Sequence, residues 1–147
     1  MKSNSSIRTL DISKNDISVH GAKSIGELLQ INSTIKAFHL SNNRIGMQGS
    51  KFMFESLKSN FTLTTLDLYS NKIGDHGVIS LCESLKFNTT LTQLYLSDNK
   101  IGPCGAKEIG ELLQSNSTLI SLHLYSNNIG HDSAISVSEL LKSNSTL

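Results

Sequence analysis

The sequence predicts an α/β solenoid, a curved stack of short parallel strands and helices, and two observations carry that prediction. Asparagine recurs at Asn15, Asn43, Asn71, Asn99 and Asn127, each 28 residues after the last. Around each one the hydrophobic period changes from 2 to 3.6, so every repeat holds one strand and one helix. Folded on this period, residues 1–147 form a single domain of five copies: 7–34, 35–62, 63–90, 91–118 and 119–146.

Each copy opens on an apolar residue: Ile7, Ile35, Leu63, Leu91 or Leu119, with Leu147 continuing the column. An alternating pair follows: Leu10/Ile12, Phe38/Leu40, Leu66/Leu68, Leu94/Leu96 and Leu122/Leu124. Alternation at period 2 is a short strand with one face inward. Past the asparagine come Ile17, Ile45, Ile73, Ile101 and Ile129, then Ser18, Gly46, Gly74, Gly102 and Gly130, which suit helix N-caps. Pro103 follows Gly102, where a first-turn proline loses no hydrogen bond. In the fourth copy Ala106, Ile109, Gly110 and Leu113 then recur at i, i+3, i+4, i+7, the stripe of an amphipathic helix. The same columns hold Ala22/Ile25/Gly26/Leu29, Ser50/Met53/Phe54/Leu57, Val78/Leu81/Cys82/Leu85 and Ala134/Val137/Ser138/Leu141. Each helix stops at Asn32, Asn60, Asn88, Asn116 or Asn144, where asparagine is expected to take the left-handed C′ conformation. These residues and Asn4 also fit the N-glycosylation motif, but their common 28-residue period assigns them to helix termination.

The pattern L-x-x-L-x-L-x-x-N-x-I-G-x-x-G-A resembles the leucine-rich repeat in its ribonuclease-inhibitor-like variety, over residues 4–147. Phe38 replaces a strand leucine, and Ser133 replaces the glycine found at Gly21, Gly49, Gly77 and Gly105. The resemblance implies a non-catalytic recognition arc that needs no cofactor. The curvature has a simple cause: parallel strands sit about 4.8 Å apart, while packed helices need about 8–10 Å. Strands therefore line the concave face and helices the convex face. The buried asparagine column is expected to bond backbone groups in the turn that the strand ladder leaves unpaired.

Net charge is +1, which argues against nucleic acid or an anionic membrane as the main partner. No apolar run approaches the roughly 20 residues that span a bilayer, and no signal-peptide segment precedes the first strand. Two cysteines, Cys82 in a core column and Cys104 near a helix start, read as free thiols of a reducing compartment. A cytoplasmic protein is expected.

Function should lie in the solvent-facing strand columns. The central one reads Asp11, His39, Asp67, Tyr95, His123, and its flanks read Thr9, Ala37, Thr65, Gln93, Ser121 and Ser13, Ser41, Tyr69, Ser97, Tyr125. In-register stacking sets His39 between Asp11 and Asp67. A protein partner is expected on His39, Asp67, Tyr69, Gln93, Tyr95, His123 and Tyr125, because tyrosine combines an apolar face with a polar tip and is enriched at interface hot spots. Metal and catalytic sites are not expected. His39 and His123 are about 14 Å apart along the strands, far beyond shared coordination, and no Gly-Lys-Ser follows a glycine loop. On the convex side Lys23/Glu27, Lys51/Glu55 and Lys107/Glu111 are spaced for i,i+4 ion pairs, and Phe52 and Phe87 interrupt the polar surface. The first and last copies carry the same apolar columns as the internal ones. The alternative reading is therefore a structural, self-assembling segment whose uncapped ends pair with another copy.

Overall fold

The computed structural model describes residues 4–142 and 144–147. Strands β1 (Thr9–Asp11), β2 (Ala37–His39), β3 (Thr65–Asp67), β4 (Gln93–Tyr95) and β5 (Ser121–His123) form one parallel sheet in sequence order. Every strand residue lies opposite its counterpart 28 positions on. Helices α1 (Val19–Ile31), α2 (Gly46–Leu57), α3 (Gly74–Leu85), α4 (Pro103–Ser115) and α5 (His131–Leu141) alternate with the strands. Strands touch neighbouring strands and helices neighbouring helices, so the molecule is the solenoid that the two hydrophobic periods require.

The core runs between sheet and helices as a continuous layer. Leu66, Leu68 and Ile73 from the strand side meet Val78, Leu81 and Leu85 from α3, all buried. Phe38 fits the strand-leucine column and is fully buried, as is Phe54 in α2. In the Phe54 column the adjacent copies carry Gly26 and Cys82. Gly26 permits a close approach of α1 to α2, since a Cβ there would stand 2.8 Å from the Phe52 carbonyl oxygen. One core column escapes the hydrophobic pattern. Ser56 and Ser84 are buried beside leucine-type positions, and their hydroxyls donate to the carbonyls of Met53 (2.5 Å) and Ser80 (3.0 Å). That internal bond is what lets a polar side chain stand in the core.

Two asparagine ladders hold the copies in register. In the first, each side chain reaches back to the preceding copy. Asn99, fully buried, accepts the N–H groups of Asn71 (3.0 Å) and Ile73 (3.3 Å) on Oδ1. Its Nδ2 donates to the carbonyls of Leu68 (2.8 Å) and Ser97 (3.1 Å). Asn43, Asn71 and Asn127 repeat the scheme. The second ladder stands at the helix ends. Asn60 Oδ1 accepts the N–H groups of Thr62 (3.0 Å) and Leu63 (2.9 Å), while Nδ2 donates to Leu29 O at 2.7 Å. Asn88 and Asn116 make equivalent bonds to Leu57 O and Leu85 O.

This second ladder corrects the expected helix termini. Asn32 and Asn116 are extended, with φ −83° and −82°, and neither Asn60 nor Asn88 has positive φ. The side-chain amide, rather than a left-handed backbone, satisfies the last carbonyls. Helix entry follows the expected N-cap positions at Ser18, Gly102 and Gly130 and departs from them at Gly46 and Gly74. Ser18 makes no side-chain capping bond, and Gly46 and Gly74 are the first residues of their helices, at φ +64° and +65°. A non-glycine residue would be strained at those two places.

Loss of a ladder amide should depend on its position in the stack. Asn99→Ala removes four hydrogen bonds and strands buried N–H and C=O groups, a cost on the order of 3 kcal/mol. Asn15, exposed and bonded through Nδ2 to Ser13 O, should lose less than about 1 kcal/mol on the same change. Urea denaturation of both variants checks this; equal losses would contradict the ladder's role.

Candidate functional site

The concave face is built from the outward residues of five strands that the core leucines hold flat against the helices. His39 lies opposite Asp11 on one side and Asp67 on the other. Its Nδ1 stands 3.7 Å from Asp67 Oδ2. The carboxylates are engaged in shaping the backbone. Asp67 accepts the Ser41 hydroxyl at 2.5 Å and the Tyr69 N–H at 2.9 Å. Asp11 accepts the Ser13 N–H at 2.9 Å. Hydrogen bonding from the Ser13 side chain and backbone, with a smaller contribution from nearby His39, holds the Asp11 carboxyl below its ordinary value. Among the described residues no group of three or more histidine, cysteine or acidic side chains could hold a metal.

The aromatic residues gather at the other end of the face. Tyr95 and His123, neighbours on β4 and β5, stack with centroids 4.5 Å apart at 20°. Tyr69 and Tyr125 belong to copies two apart, a separation of about 9.6 Å along the sheet. Yet their rings meet at 6.1 Å, tilted by 35°. They can do so because Ser97 occupies the column between them, and the rings lean together across it. Ser97 is buried, and its hydroxyl has no hydrogen-bond partner. Its counterpart Ser41 bonds Asp67, one copy ahead; one copy ahead of Ser97 stands His123, whose Nε2 is taken by the Ser121 hydroxyl at 3.2 Å. Gln93 is tied to Thr65 through its Oε1 at 3.2 Å. Of the seven residues nominated from sequence, Tyr69, Tyr95, His123 and Tyr125 thus form one aromatic patch. His39 and Asp67 form a separate polar pair, and Gln93 borders β3. The Ser97 hydroxyl carried no sequence signal, because serine is unremarkable until its neighbours close over it.

Away from the concave face, the spacing-based ion pairs are partly replaced. Lys107 and Glu111 pair at 3.6 Å, but Glu55 takes Lys58 at 2.8 Å in place of Lys51, and no Lys23–Glu27 pair forms. Lys23 instead places its ammonium 5.9 Å from the centre of the Phe52 ring. Burial pushes the Cys82 thiol up to about 12, so it stays protonated and inert, whereas Cys104 is exposed. No helix among the described residues is long and apolar enough to cross a membrane.

Comparison with known proteins places this geometry. The family described as Leucine Rich repeat matches residues 3–26, 59–82, 87–110 and 115–138, well over half of the chain. The longest unmatched stretch, residues 27–58, includes the strand that carries Phe38. No curated protein sequence matches the chain. Among solved structures, the actin-binding site 2 of leiomodin-1 is similar at 28% identity and TM-score 0.82, covering 96% of this chain and 82% of that one. The C-terminal domain of a Caenorhabditis elegans tropomodulin shares the fold at 16% identity and TM-score 0.79, covering 96% and 86%.

The Ser97 hydroxyl yields a stability test. Ser97→Ala removes a buried group without a partner and should stabilise the chain by about 1 kcal/mol. Ser41→Ala breaks the bond to Asp67 and should destabilise it by a similar amount. Thermal unfolding of the two variants should therefore move in opposite directions.

Proposed function

We propose, for a chain that belongs to the leucine-rich repeat family, that it is a non-catalytic protein-interaction module whose partner docks on the concave strand face. The observation that supports this reading is the aromatic patch of Tyr69, Tyr95, His123 and Tyr125. These rings lie on the open side of the sheet, with Tyr125 62% exposed, and they take no part in the core. Rigid aromatic side chains bury large areas at low entropic cost, which is the character of hot-spot residues. His39 and Asp67 add a polar contact toward the first copies. Actin is nominated as the partner by similarity to the actin-binding site 2 of leiomodin-1.

A second reading has its own support. Ile129, Val137 and Leu141, whose counterparts in the internal copies are buried, line an open apolar hollow of about 300 Å³ with Ala134 and Ser138. At the opposite side of the stack Leu10, Ile12 and Ile17 are half-buried. Head-to-tail stacking of a second copy would join surfaces of the kind that already meet between copies inside the chain.

Co-sedimentation and calorimetry with purified actin test the first reading. Wild-type binding that falls at least about tenfold in Tyr69→Ala/Tyr95→Ala/Tyr125→Ala is the expected result. Binding indifferent to those changes would remove the concave face from the account, and absence of binding would remove actin. For the second reading, light scattering over a hundredfold concentration range should show mass growth that Val137→Glu suppresses. A constant monomer mass rejects it.

A further inference from the structure

We propose that the solenoid edge where α2 and α3 end is a second docking surface. It would receive a short polypeptide segment that carries an apolar side chain beside a carboxylate. The first observation is a run of exposed apolar residues in three consecutive copies. Ile31 is 83% exposed at the end of α1, Phe61 57% just after α2, and Phe87 65% just after α3. The fold does not require them. The Ile31 and Phe87 column holds Ser59 and Ser115 in other copies, and the Phe61 column holds Ser33, Thr89 and Ser117. Clustered apolar side chains on an otherwise polar surface mark contact sites.

The second observation concerns charge. Beside Phe87 lies a small groove of about 180 Å³, lined by polar residues that include Lys86, Thr89 and Ser117. Lys86 is exposed, and among the described residues it forms no ion pair, whereas Lys58, one copy back, is taken by Glu55. Helix C-termini ordinarily present bare carbonyls that repel an anion. Here Asn116 already donates to Leu85 O near the end of α3, and Asn144 to Leu113 O near the end of α4. The groove therefore offers an ammonium and hydroxyl donors with its nearest helix-end carbonyls already paired. That chemistry suits a carboxylate, with Phe61 and Phe87 receiving the neighbouring apolar side chain.

This edge is independent of the concave patch. It lies where the chain leaves each helix and enters the next strand, while Tyr69 and Tyr125 lie beyond the strand ends. The two surfaces can therefore be tested separately.

The test is selection of a random twelve-residue peptide library on the full chain, followed by calorimetry with one enriched synthetic peptide. Enriched sequences should place Asp or Glu next to Leu, Ile or Phe. Phe61→Ser/Phe87→Ser should weaken the peptide at least about tenfold and Lys86→Gln about threefold. The tyrosine triple variant should leave affinity within about twofold. The serine variants should keep the wild-type unfolding midpoint, since serine stands at equivalent places in other copies. Failure to enrich any peptide, enrichment of basic sequences, or affinity that follows the tyrosines instead of the edge would each overturn the proposal. So would binding to phosphatidylserine vesicles that Phe61→Ser/Phe87→Ser abolishes, since that would make the edge a membrane contact.

Discussion

The buried side-chain amide is the interaction on which this structure depends. Strands of three residues cannot pair all the backbone they bring into the interior, and the turns beyond them leave N–H and C=O groups without a ladder partner. Asparagine supplies one acceptor and two donors at one point, so a single residue joins two copies. Asn99 does this on the side where strands end and Asn88 on the side where helices end. Each copy is thus clamped to the next at both edges, with leucines filling the layer between. A residue with the same volume but no amide would leave several buried polar groups orphaned at once.

The clamps also impose a local cost. The residue preceding each asparagine of the strand-side column is left-handed: Lys14, Asn42, Ser70, Asp98 and Ser126 have φ of 59°, 54°, 52°, 54° and 57°. Only two of these belong to the residue types that adopt this conformation readily. The turn geometry is set by the amide's need to face inward, and the preceding residue follows, whatever its side chain. Local propensity is overruled by a buried hydrogen-bond network.

Because register and core are secured by the inward residues, the outward strand residues carry few structural duties and can specialise. Some still take one: Asp11 and Asp67 accept backbone N–H groups at strand ends. The tyrosines do not, and their rings pair with one another and with His123 across the open face. A stiff parallel sheet holds those rings at fixed spacing, which favours recognition over chemistry that needs an enclosed site. Phe61 and Phe87 likewise stand outside the clamps, on an edge where serine or threonine serves most other copies.

The fold was legible in the sequence because its information is periodic. Five asparagines at one spacing, and a hydrophobic period that switches from 2 to 3.6 beside each, determine strand, helix, register and which face turns inward. The concave columns were legible too, since register follows from period, except at Ser97, which was placed in a solvent-facing column and is buried. Conformation and contact were not. Nothing in the letters distinguishes an asparagine that ends a helix in the left-handed region from one that ends it extended, with its amide bonded to the previous copy. Nor do they reveal that Tyr69 reaches Tyr125 across Ser97, that Ser56 belongs to the core, or that Glu55 takes Lys58 over Lys51. Period fixes where residues stand along the stack. Side-chain direction and partner choice depend on the three-dimensional crowding of neighbouring copies, which only the tertiary structure decides.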